Sequence, residues 1–130
     1  MYLDANLFVF AAIESGPQGI RAREIMKTIE NGVAACTSAL VIDEVMWVLI
    51  RNKRTDILRE TIEGIYNVRN LEVQDVPANV PLTALSIVEN HKLRPRDAMH
   101  LAVMKHRGES TIVSDDKDFD RVPHIKRIKV

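Results

Sequence analysis

The sequence has 130 residues, of which 46% are hydrophobic and 28% are charged, a composition typical of a folded globular protein and not of a disordered chain. The formal net charge is zero, so no overall basic field attracts nucleic acid, and such binding would need a local patch. The length predicts one domain spanning residues 1–130, large enough for a hydrophobic core.

The single cysteine and the absence of long apolar runs bear on where the protein works. Cys36 has no partner for an intramolecular disulfide, which favours a reducing compartment. The chain opens without a charged and apolar leader, and no apolar run approaches the roughly 20 residues needed to cross a bilayer. We therefore expect a cytoplasmic protein that does not bind membranes.

In the first half of the chain, apolar spacing predicts two strands and three helices. In chain order these are a buried strand at Tyr2-Leu3, a short helix from Asn6 to about Glu14, a helix over Ile20–Ile29 and a strand over Val33–Thr37. Ser38 is then expected to cap a helix that ends at about Arg51. Because that helix is apolar on all sides, we expect it to be buried on more than one face.

The second half continues the alternation of helices and strands. The predicted elements are a helix with an apolar stripe over Ile57–Tyr66, a strand over Leu71–Val76, helices over Pro81–His91 and Pro95–Gly108, a strand over Thr111–Val113 and an edge strand over Ile125–Val130. This alternation predicts an α/β fold, a three-layer sandwich in which a central parallel sheet has helices on both faces. Ligands of such sheets bind at the carboxyl edge of the strands.

Acidic residues in three parts of the chain are placed to meet at that edge. Asp4 ends the first strand, Asp97 opens a late helix, and an acidic cluster from Asp115 to Asp120 follows a strand. Each also has an ordinary explanation, since acid-rich turns are usually solvated and the helix macrodipole favours an acid such as Asp97 in the first turn. Only their convergence would indicate a site.

Two further positions are left open by the pattern alone. Asp43 and Glu44 are adjacent in the apolar helix and point about 100° apart, so at most one of them faces a given site. His100 lies one turn beyond Asp97 and could be a ligand or a proton carrier. A helix histidine with a local partner is the commoner situation, and we expect it here.

Converging carboxylates would require a hard cation. At ~5 Å and an effective dielectric of 20, each pair of charges costs on the order of 3 kcal/mol. Oxygen ligands favour Mg²⁺ or Mn²⁺ over Zn²⁺, and the sequence has no Cys/His zinc pattern, no glycine-rich phosphate loop and no Ser–His nucleophile. A calcium loop starting at Asp116 is excluded because arginines, Arg121 and Arg127, replace its required glycine and glutamate. Metal-assisted hydrolysis of a phosphodiester is the chemistry that such a site best supports.

Four short motifs occur in an order that resembles a known family. They are Asp4-x-Asn6 after the first strand, Thr37-Ser38 followed by Glu44, Arg96-Asp97-Ala98 at a helix start, and Ser114-x-Asp116 after a strand. In this order the sequence resembles the PIN domain, and within that family it is most similar to the VapC-type toxins of toxin–antitoxin pairs. The resemblance covers nearly the whole chain.

The resemblance implies a Mg²⁺- or Mn²⁺-dependent endoribonuclease in which the bound ion activates a water. The residues that match the acidic quartet of the family are Asp4, Glu44, Asp97 and Asp116, and this match favours Glu44 over Asp43. Asn6 and Ser114 match polar positions that support the quartet, and Asp118 is a further candidate for a supporting role. Because the quartet is complete, the resemblance argues against an inactive copy.

The resemblance also implies partners, namely an RNA substrate, a cognate antitoxin and a second copy in a homodimer. The apolar helix from Ala39 to Ile50 and the stripe from Ile57 to Tyr66 are suitable surfaces for the two protein partners. The candidate phosphate contacts are Arg51, Lys53, Arg54, Arg94 and Arg96, for which an ordinary solvated surface is the alternative.

Two other functions are compatible with part of this pattern. A catalytically silent PIN scaffold that binds RNA or protein would keep the fold without metal-dependent cleavage. A phosphoacceptor receiver domain also places acids at the edge of a parallel sheet, but it needs an acceptor aspartate after its central strand. The strand over Leu71–Val76 offers only Asp75, which disfavours this second alternative.

Overall fold

The protein, described by a computed structural model that covers residues 1–130, contains five short strands and six α-helices. The strands are β1 (Tyr2–Leu3), β2 (Ala35–Ser38), β3 (Leu71–Gln74), β4 (Thr111–Val113) and β5 (Lys126–Ile128). The helices are α1 (Ala5–Ile13), α2 (Pro17–Glu30), α3 (Ala39–Arg51), α4 (Leu58–Asn67), α5 (Val80–His91) and α6 (Pro95–Arg107), with a 3₁₀-helix at Lys117–Arg121.

The five strands form one parallel sheet in the order β3-β2-β1-β4-β5. The central strand β1 pairs on one side with β2 and on the other with β4, where Tyr2 lies opposite Cys36 and Ile112. The predicted α/β class with a parallel sheet is confirmed, and β5 is an edge strand as expected.

The order of the strands also explains where a site forms. The chain runs from β1 outward to β2 and β3 and then returns to β4 on the far side of β1. Since parallel crossovers are right-handed, α1 to α4 cover one face of the sheet and α5 and α6 cover the other. The chain therefore reverses direction beside β1, and ligands of open parallel sheets bind at the carboxyl end of such a reversal.

The two central strands lie in the middle of the core. Tyr2 and Leu3 on β1 and Ile112 and Val113 on β4 are all completely buried. Helices on both faces of a parallel sheet bury its strands on both sides, which explains why these strands are apolar throughout and do not alternate. The core therefore holds the ends of β1 and β4 rigidly at the edge of the sheet.

The expectation that the apolar helix α3 is buried on more than one face is wrong for the single chain. Its inner face is buried through Val41, Val45 and Leu49, but the side chains of Trp47 and Ile50 are 51% and 53% exposed. Helix α3 lies in an outer layer of the sandwich with α1 and α4 beside it, so its outward face has no apolar cover. The apolar residues there form an exposed surface.

Other differences from the sequence-based prediction concern element ends. Strand β2 begins at Ala35 and not at Val33, and β3 ends at Gln74 and not at Val76. Ser38 does precede α3, but its hydroxyl does not cap that helix; it lies 2.7 Å from the hydroxyl of Tyr2. None of the helices combines the length and the apolar character that crossing a membrane requires.

Candidate metal centre

Asp4 is held in one orientation by the backbone and by three hydrogen-bond donors. Its N–H donates to the carbonyl of Val113 at 3.1 Å, which fixes the residue at the carboxyl ends of β1 and β4. Its Oδ1 accepts from the N–H of Ala5 at 2.8 Å. Its Oδ2 accepts from the Ser114 hydroxyl at 2.6 Å and from the amide of Asn6 at 2.9 Å. The carboxylate is buried and cannot turn without breaking these bonds.

Ser114 and Asn6 connect Asp4 to the acidic loop after β4. The Ser114 hydroxyl oxygen accepts from the Asn6 amide at 3.1 Å and from the N–H of Asp116 at 3.0 Å. Asn6 in turn accepts from the N–H of Asp115 at 3.2 Å. Because the Ser114 oxygen accepts two N–H groups, its own proton is directed to Asp4. The structure therefore brings the two predicted supporting residues together between Asp4 and Asp116.

Glu44, and not Asp43, faces the same edge. Asp43 is exposed on the outer side of α3, whereas the carboxylate of Glu44 lies 3.2 Å from Nε2 of His100 and 3.6 Å from Nη1 of Arg96. Two adjacent residues on a helix point about 100° apart, so only one of them can reach the site.

His100 is buried beside these carboxylates, and the expectation of a merely local partner is wrong. Its Nε2 is 3.2 Å from Glu44 and 4.0 Å from Oδ1 of Asp4, and its Nδ1 is 3.0 Å from the hydroxyl of Tyr2. These partners belong to α3 and β1, far away in the sequence. The available signal was its position three residues after Asp97, which places both on one helix face.

A second group of acids lies at the start of α6 and in the loop after β4. One carboxylate oxygen from each of Asp97, Asp116 and Asp118 lies within 4.8 Å of the other two. Asp116 accepts from the N–H of Asp118 at 2.8 Å and so caps the 3₁₀-helix, and Asp118 pairs with Arg121 at 3.0 Å. Oδ2 of Asp97 is buried without any hydrogen-bond donor.

Both groups of side chains, the one formed by Asp4, Glu44 and His100 and the one that contains Asp97 and Asp116, open onto one cavity of about 210 Å³. Its polar lining consists of Asp4, Asn6, Glu44, Asp97, His100 and Asp116. All four members of the predicted quartet therefore meet at one place, while Asp118 stands beside the cavity. A larger cavity of about 650 Å³ lies between α5, α6 and the segment before β5, and none of the four carboxylates lines it.

The surroundings shift the pKa values of these acids in different directions. Burial and the negative charges of Asp116 and Asp118 raise the pKa of Asp97 to about 6. Burial also raises the pKa of Asp4, an effect that His100 and the hydrogen bond from Ser114 only partly offset. Partial burial would raise the pKa of Glu44, but His100 and Arg96 outweigh it and lower that pKa below its ordinary value.

These features fit a divalent cation. The buried Oδ2 of Asp97 has a free lone pair and no donor, and the raised pKa of Asp97 shows that its charge is poorly compensated by the protein alone. The donors around the cavity are carboxylate oxygens with a single imidazole nitrogen. Such a donor set suits a hard ion such as Mg²⁺ or Mn²⁺.

Of the five basic candidates, two lie near the cavity and three do not. Arg94 directly precedes α6, and Arg96 contacts Glu44. Arg51 ends α3, seven residues and therefore roughly 10 Å beyond Glu44 along the helix axis. Lys53 and Arg54 follow Arg51 in the turn at that far end. Arg51 stacks on the ring of Trp47 at 5.0 Å, and Arg54 pairs with Asp56 at 3.0 Å.

Arg127 on β5 is a further residue that the sequence analysis did not identify with the site. Its guanidinium donates two hydrogen bonds of 2.8 Å to Asp120 and a third of 3.2 Å to the carbonyl of Ser114. It therefore fastens both ends of the acidic loop to the edge strand. A short strand with two adjacent basic residues, Lys126 and Arg127, gives no sign of this role.

Comparison with known proteins agrees with this geometry. The family model of the PIN domain matches residues 1–125. A VapC ribonuclease of Mycobacterium bovis is 25% identical over 127 residues, which are 97% of each chain. Among solved structures, VapBC2 from Rickettsia felis bound to a DNA fragment from its promoter superposes with a TM-score of 0.76 at 15% identity, covering 98% of this chain and 96% of that one.

A second solved structure has the same fold. VapC20 of Mycobacterium tuberculosis, a toxin that cleaves the sarcin–ricin loop, gives a TM-score of 0.72 at 16% identity and covers 85% of each chain. At such low identities the two structures establish the fold, whereas the family model covers almost the entire sequence. The prediction made from the four motifs is confirmed, and the chain belongs to the PIN domain family.

Proposed function

We propose that residues 1–130 form a single nuclease domain, a Mg²⁺- or Mn²⁺-dependent endoribonuclease that hydrolyses phosphodiester bonds in RNA. The observation that carries this proposal is the buried Oδ2 of Asp97, which has no donor, on a residue that lines one cavity together with three more carboxylates. The relatives support it, since the M. bovis protein is a VapC ribonuclease and VapC20 is a toxin that cleaves the sarcin–ricin loop.

In this proposal the four carboxylates divide the work of holding the ion. Asp4 presents its carboxylate in an orientation fixed by Ala5, Asn6 and Ser114. Asp97 supplies an oxygen that has no protein donor, Asp116 supplies a further carboxylate, and Glu44 closes the cavity from α3. When bound there, a divalent cation supplies activation of a water and neutralises charge that develops on the phosphate.

The remaining site residues orient these ligands. Asn6 and Ser114 hold Asp4 and the backbone of Asp116 in a fixed relation. Asp118 donates its backbone N–H to Asp116, so we assign it a supporting role. None of these three needs to contact the substrate.

We propose that RNA phosphates contact the basic residues in order of their distance from the cavity. Arg94 and Arg96 at the start of α6 are near enough to contact the nucleotides that flank the cut. Arg51, Lys53 and Arg54 lie at the far end of α3 and could only contact a more distant part of the strand. Each phosphate contact made by a basic side chain adds to the salt dependence of binding.

We further propose that the protein is the toxin of a toxin–antitoxin pair, acts in the cytoplasm and forms a homodimer. A toxin–antitoxin complex from Klebsiella pneumoniae is similar to this chain, with a TM-score of 0.69 at 16% identity, which supports a protein partner for this chain. An apolar groove of about 320 Å³ lies between α1, α2 and α4 and includes Phe8, Met26 and Ile65. The exposed Trp47 and Ile50 on α3 provide a second apolar surface.

The test is RNA cleavage by the purified protein in the presence of Mn²⁺. Asp4→Asn and Asp97→Asn should each lower the cleavage rate by more than about 100-fold, since even residues that only orient metal ligands typically contribute 10- to 100-fold. Asp43→Asn is the matched control, because Asp43 faces solvent next to Glu44 on the same helix, and it should cleave like the unchanged protein.

Circular dichroism must show that the variants remain folded. Equal cleavage by the unchanged protein and by both site variants would disprove the proposal. RNA binding without cleavage of any substrate, with or without Mn²⁺, would indicate the silent PIN scaffold.

A further inference from the structure

We propose that His100, held in place by Tyr2, is a positioning residue that fixes the carboxylate of Glu44 in the metal centre. This inference rests on the proposed function, because it concerns the same site. It is independent of which RNA is cut.

Glu44 has few other means of keeping its orientation. Its side chain has three rotatable bonds, is 23% exposed, and contacts only two groups near its carboxylate, Arg96 and His100. The contact to Arg96 is longer, at 3.6 Å, and the arginine side chain is 46% exposed. The contact to His100 is 3.2 Å, and the histidine side chain is only 2% exposed. The buried imidazole is therefore the group that can hold Glu44 in one place.

The imidazole is itself fixed by a chain of buried hydroxyl groups. Nδ1 of His100 is 3.0 Å from the Tyr2 hydroxyl, which is 2.7 Å from the Ser38 hydroxyl. Tyr2, Ser38 and His100 are all buried. Since Tyr2 is on β1 and Ser38 ends β2, the histidine is attached to the two strands that form the base of the site.

The hydrogen-bond donors in this chain can be assigned without ambiguity for a neutral imidazole. The carboxylate of Glu44 can only accept, so Nε2 of His100 carries the hydrogen and donates to it. Nδ1 then accepts from the Tyr2 hydroxyl, and the oxygen of Tyr2 accepts from the Ser38 hydroxyl. This assignment gives a partner to each polar atom in the series Ser38, Tyr2, His100 and Glu44. It also explains why Ser38 does not cap α3.

The experiment measures Mn²⁺ affinity by calorimetry on the protein without RNA. In His100→Asn the shorter amide can replace Nδ1 towards Tyr2 but cannot reach Glu44, whereas in His100→Gln the longer amide can replace Nε2. We expect the dissociation constant for Mn²⁺ to rise about tenfold in His100→Asn, the typical effect of removing a group that orients a metal ligand. His100→Gln should restore the value to within about threefold of the unchanged protein.

The matched control is His106→Asn, which makes the same replacement at an exposed position of α6. It should leave Mn²⁺ affinity unchanged. If His100→Asn also binds Mn²⁺ like the unchanged protein, the inference is overturned.

A double-mutant cycle separates positioning from general support of the fold. If His100 acts through Glu44, His100→Asn should have no further effect on Mn²⁺ affinity in the Glu44→Ala background. A loss of the same factor in both backgrounds would show that His100 supports the fold and does not position Glu44. If His100→Asn does not fold, Tyr2→Phe replaces it in the cycle, with an expected loss of about fivefold for one hydrogen bond.

The outcomes distinguish this inference from the proposed function. Absence of Mn²⁺ binding by the unchanged protein would overturn both. Mn²⁺ binding that is lost in Asp97→Asn but unaffected by His100→Asn and Tyr2→Phe would overturn only the role of His100.

Discussion

The candidate metal centre has two halves that differ in how many hydrogen-bond donors the protein supplies to their carboxylates. Asp4 and Glu44 are held by donors from the chain, with three hydrogen bonds to Asp4 and one from His100 to Glu44. Asp97 faces Asp116 with a buried oxygen that has no donor, and its pKa is raised to about 6. One half is therefore ordered by hydrogen bonds within the protein, while in the other half the buried oxygen of Asp97 has no such bond.

The difference follows from where each half lies in the fold. Asp4 stands between β1 and α1, next to the free N–H of Ala5 and the hydroxyl of Ser114. Asp97 and Asp116 approach each other from a helix start and a loop, and neither brings a donor to the other. Carboxylates at such distances repel strongly in a partly buried site, so this half should respond most to added metal.

The largest expected effect is stabilisation of the protein by Mn²⁺. At a free Mn²⁺ concentration of 100 times the dissociation constant, binding raises the free energy of unfolding by about 2.7 kcal/mol. Asp97→Asn should abolish most of this gain, because it removes the carboxylate that depends on the ion. Urea unfolding followed by circular dichroism, with Mn²⁺ or with EDTA, measures both values. If Mn²⁺ stabilised Asp97→Asn as much as the unchanged protein, the half of the site that contains Asp97 would not be the one that responds to the ion.

The next largest effect is a loss of stability when a hydrogen bond to Asp4 is removed. Ser114→Ala removes a buried hydroxyl that donates to Asp4 and accepts from Asn6 and Asp116. We expect it to lower the free energy of unfolding in EDTA by about 2 kcal/mol, because buried polar groups lose their partners. Ser86→Ala, at an exposed position of α5, is the control and should change stability by less than about 0.5 kcal/mol. A similarly small effect of Ser114→Ala would contradict the conclusion that Ser114 holds Asp4 in place.

The smallest expected effect is a pH-dependent gain in stability when Asp97→Asn removes a negative charge that no donor compensates. The folded pKa of Asp97, about 6, lies above its ordinary value of 3.8, so the folded state binds this proton more tightly than the unfolded state. Its unfavourable contribution is therefore absent below about pH 4 and develops as the pH rises through about 6. In EDTA, Asp97→Asn should be more stable than the unchanged protein by about 1 kcal/mol at pH 7, a value reduced by solvent screening of a half-buried group.

Denaturation curves between pH 4 and pH 8 provide the measurement. The difference between the two proteins should vanish at the acidic end. A difference that is constant with pH, or that grows towards low pH, would mean that the charge of Asp97 is not the cause.

Much of the fold was predictable because the sheet is covered on both faces. Uninterrupted apolar strands such as Ile112-Val113, separated by amphipathic helices, indicate a buried parallel sheet. The meeting of Asp4, Asp97 and Asp116 at one edge follows from the same rule, since each comes after a parallel strand or opens a helix there. Glu44 could be chosen over Asp43 only through the resemblance to the PIN domain.

The residues that escaped prediction depend on partners far away in the chain. His100 bonds to Tyr2 and Glu44, and Arg127 bonds to Asp120 and Ser114. Local spacing places His100 on the same helix face as Asp97, but it identifies none of these partners. The exposure of the outer face of α3 was missed for a related reason. Its apolar pattern predicts burial, but the pattern does not show whether the residues that cover it belong to the same chain. Periodicity describes single elements, whereas these contacts depend on how the elements are arranged.

The bond between Asp4 and Ser114 joins residues that are 110 positions apart, which bears on how the protein folds. The layer formed by β2, β3 and α1 to α4 comes from the first 74 residues and can begin to fold during synthesis. Strand β1, however, obtains its second neighbour only after β4 has been made. Pairing between such distant segments is slow, so the cavity lined by Asp4, Glu44, Asp97 and Asp116 assembles last, and a partly synthesised chain lacks it.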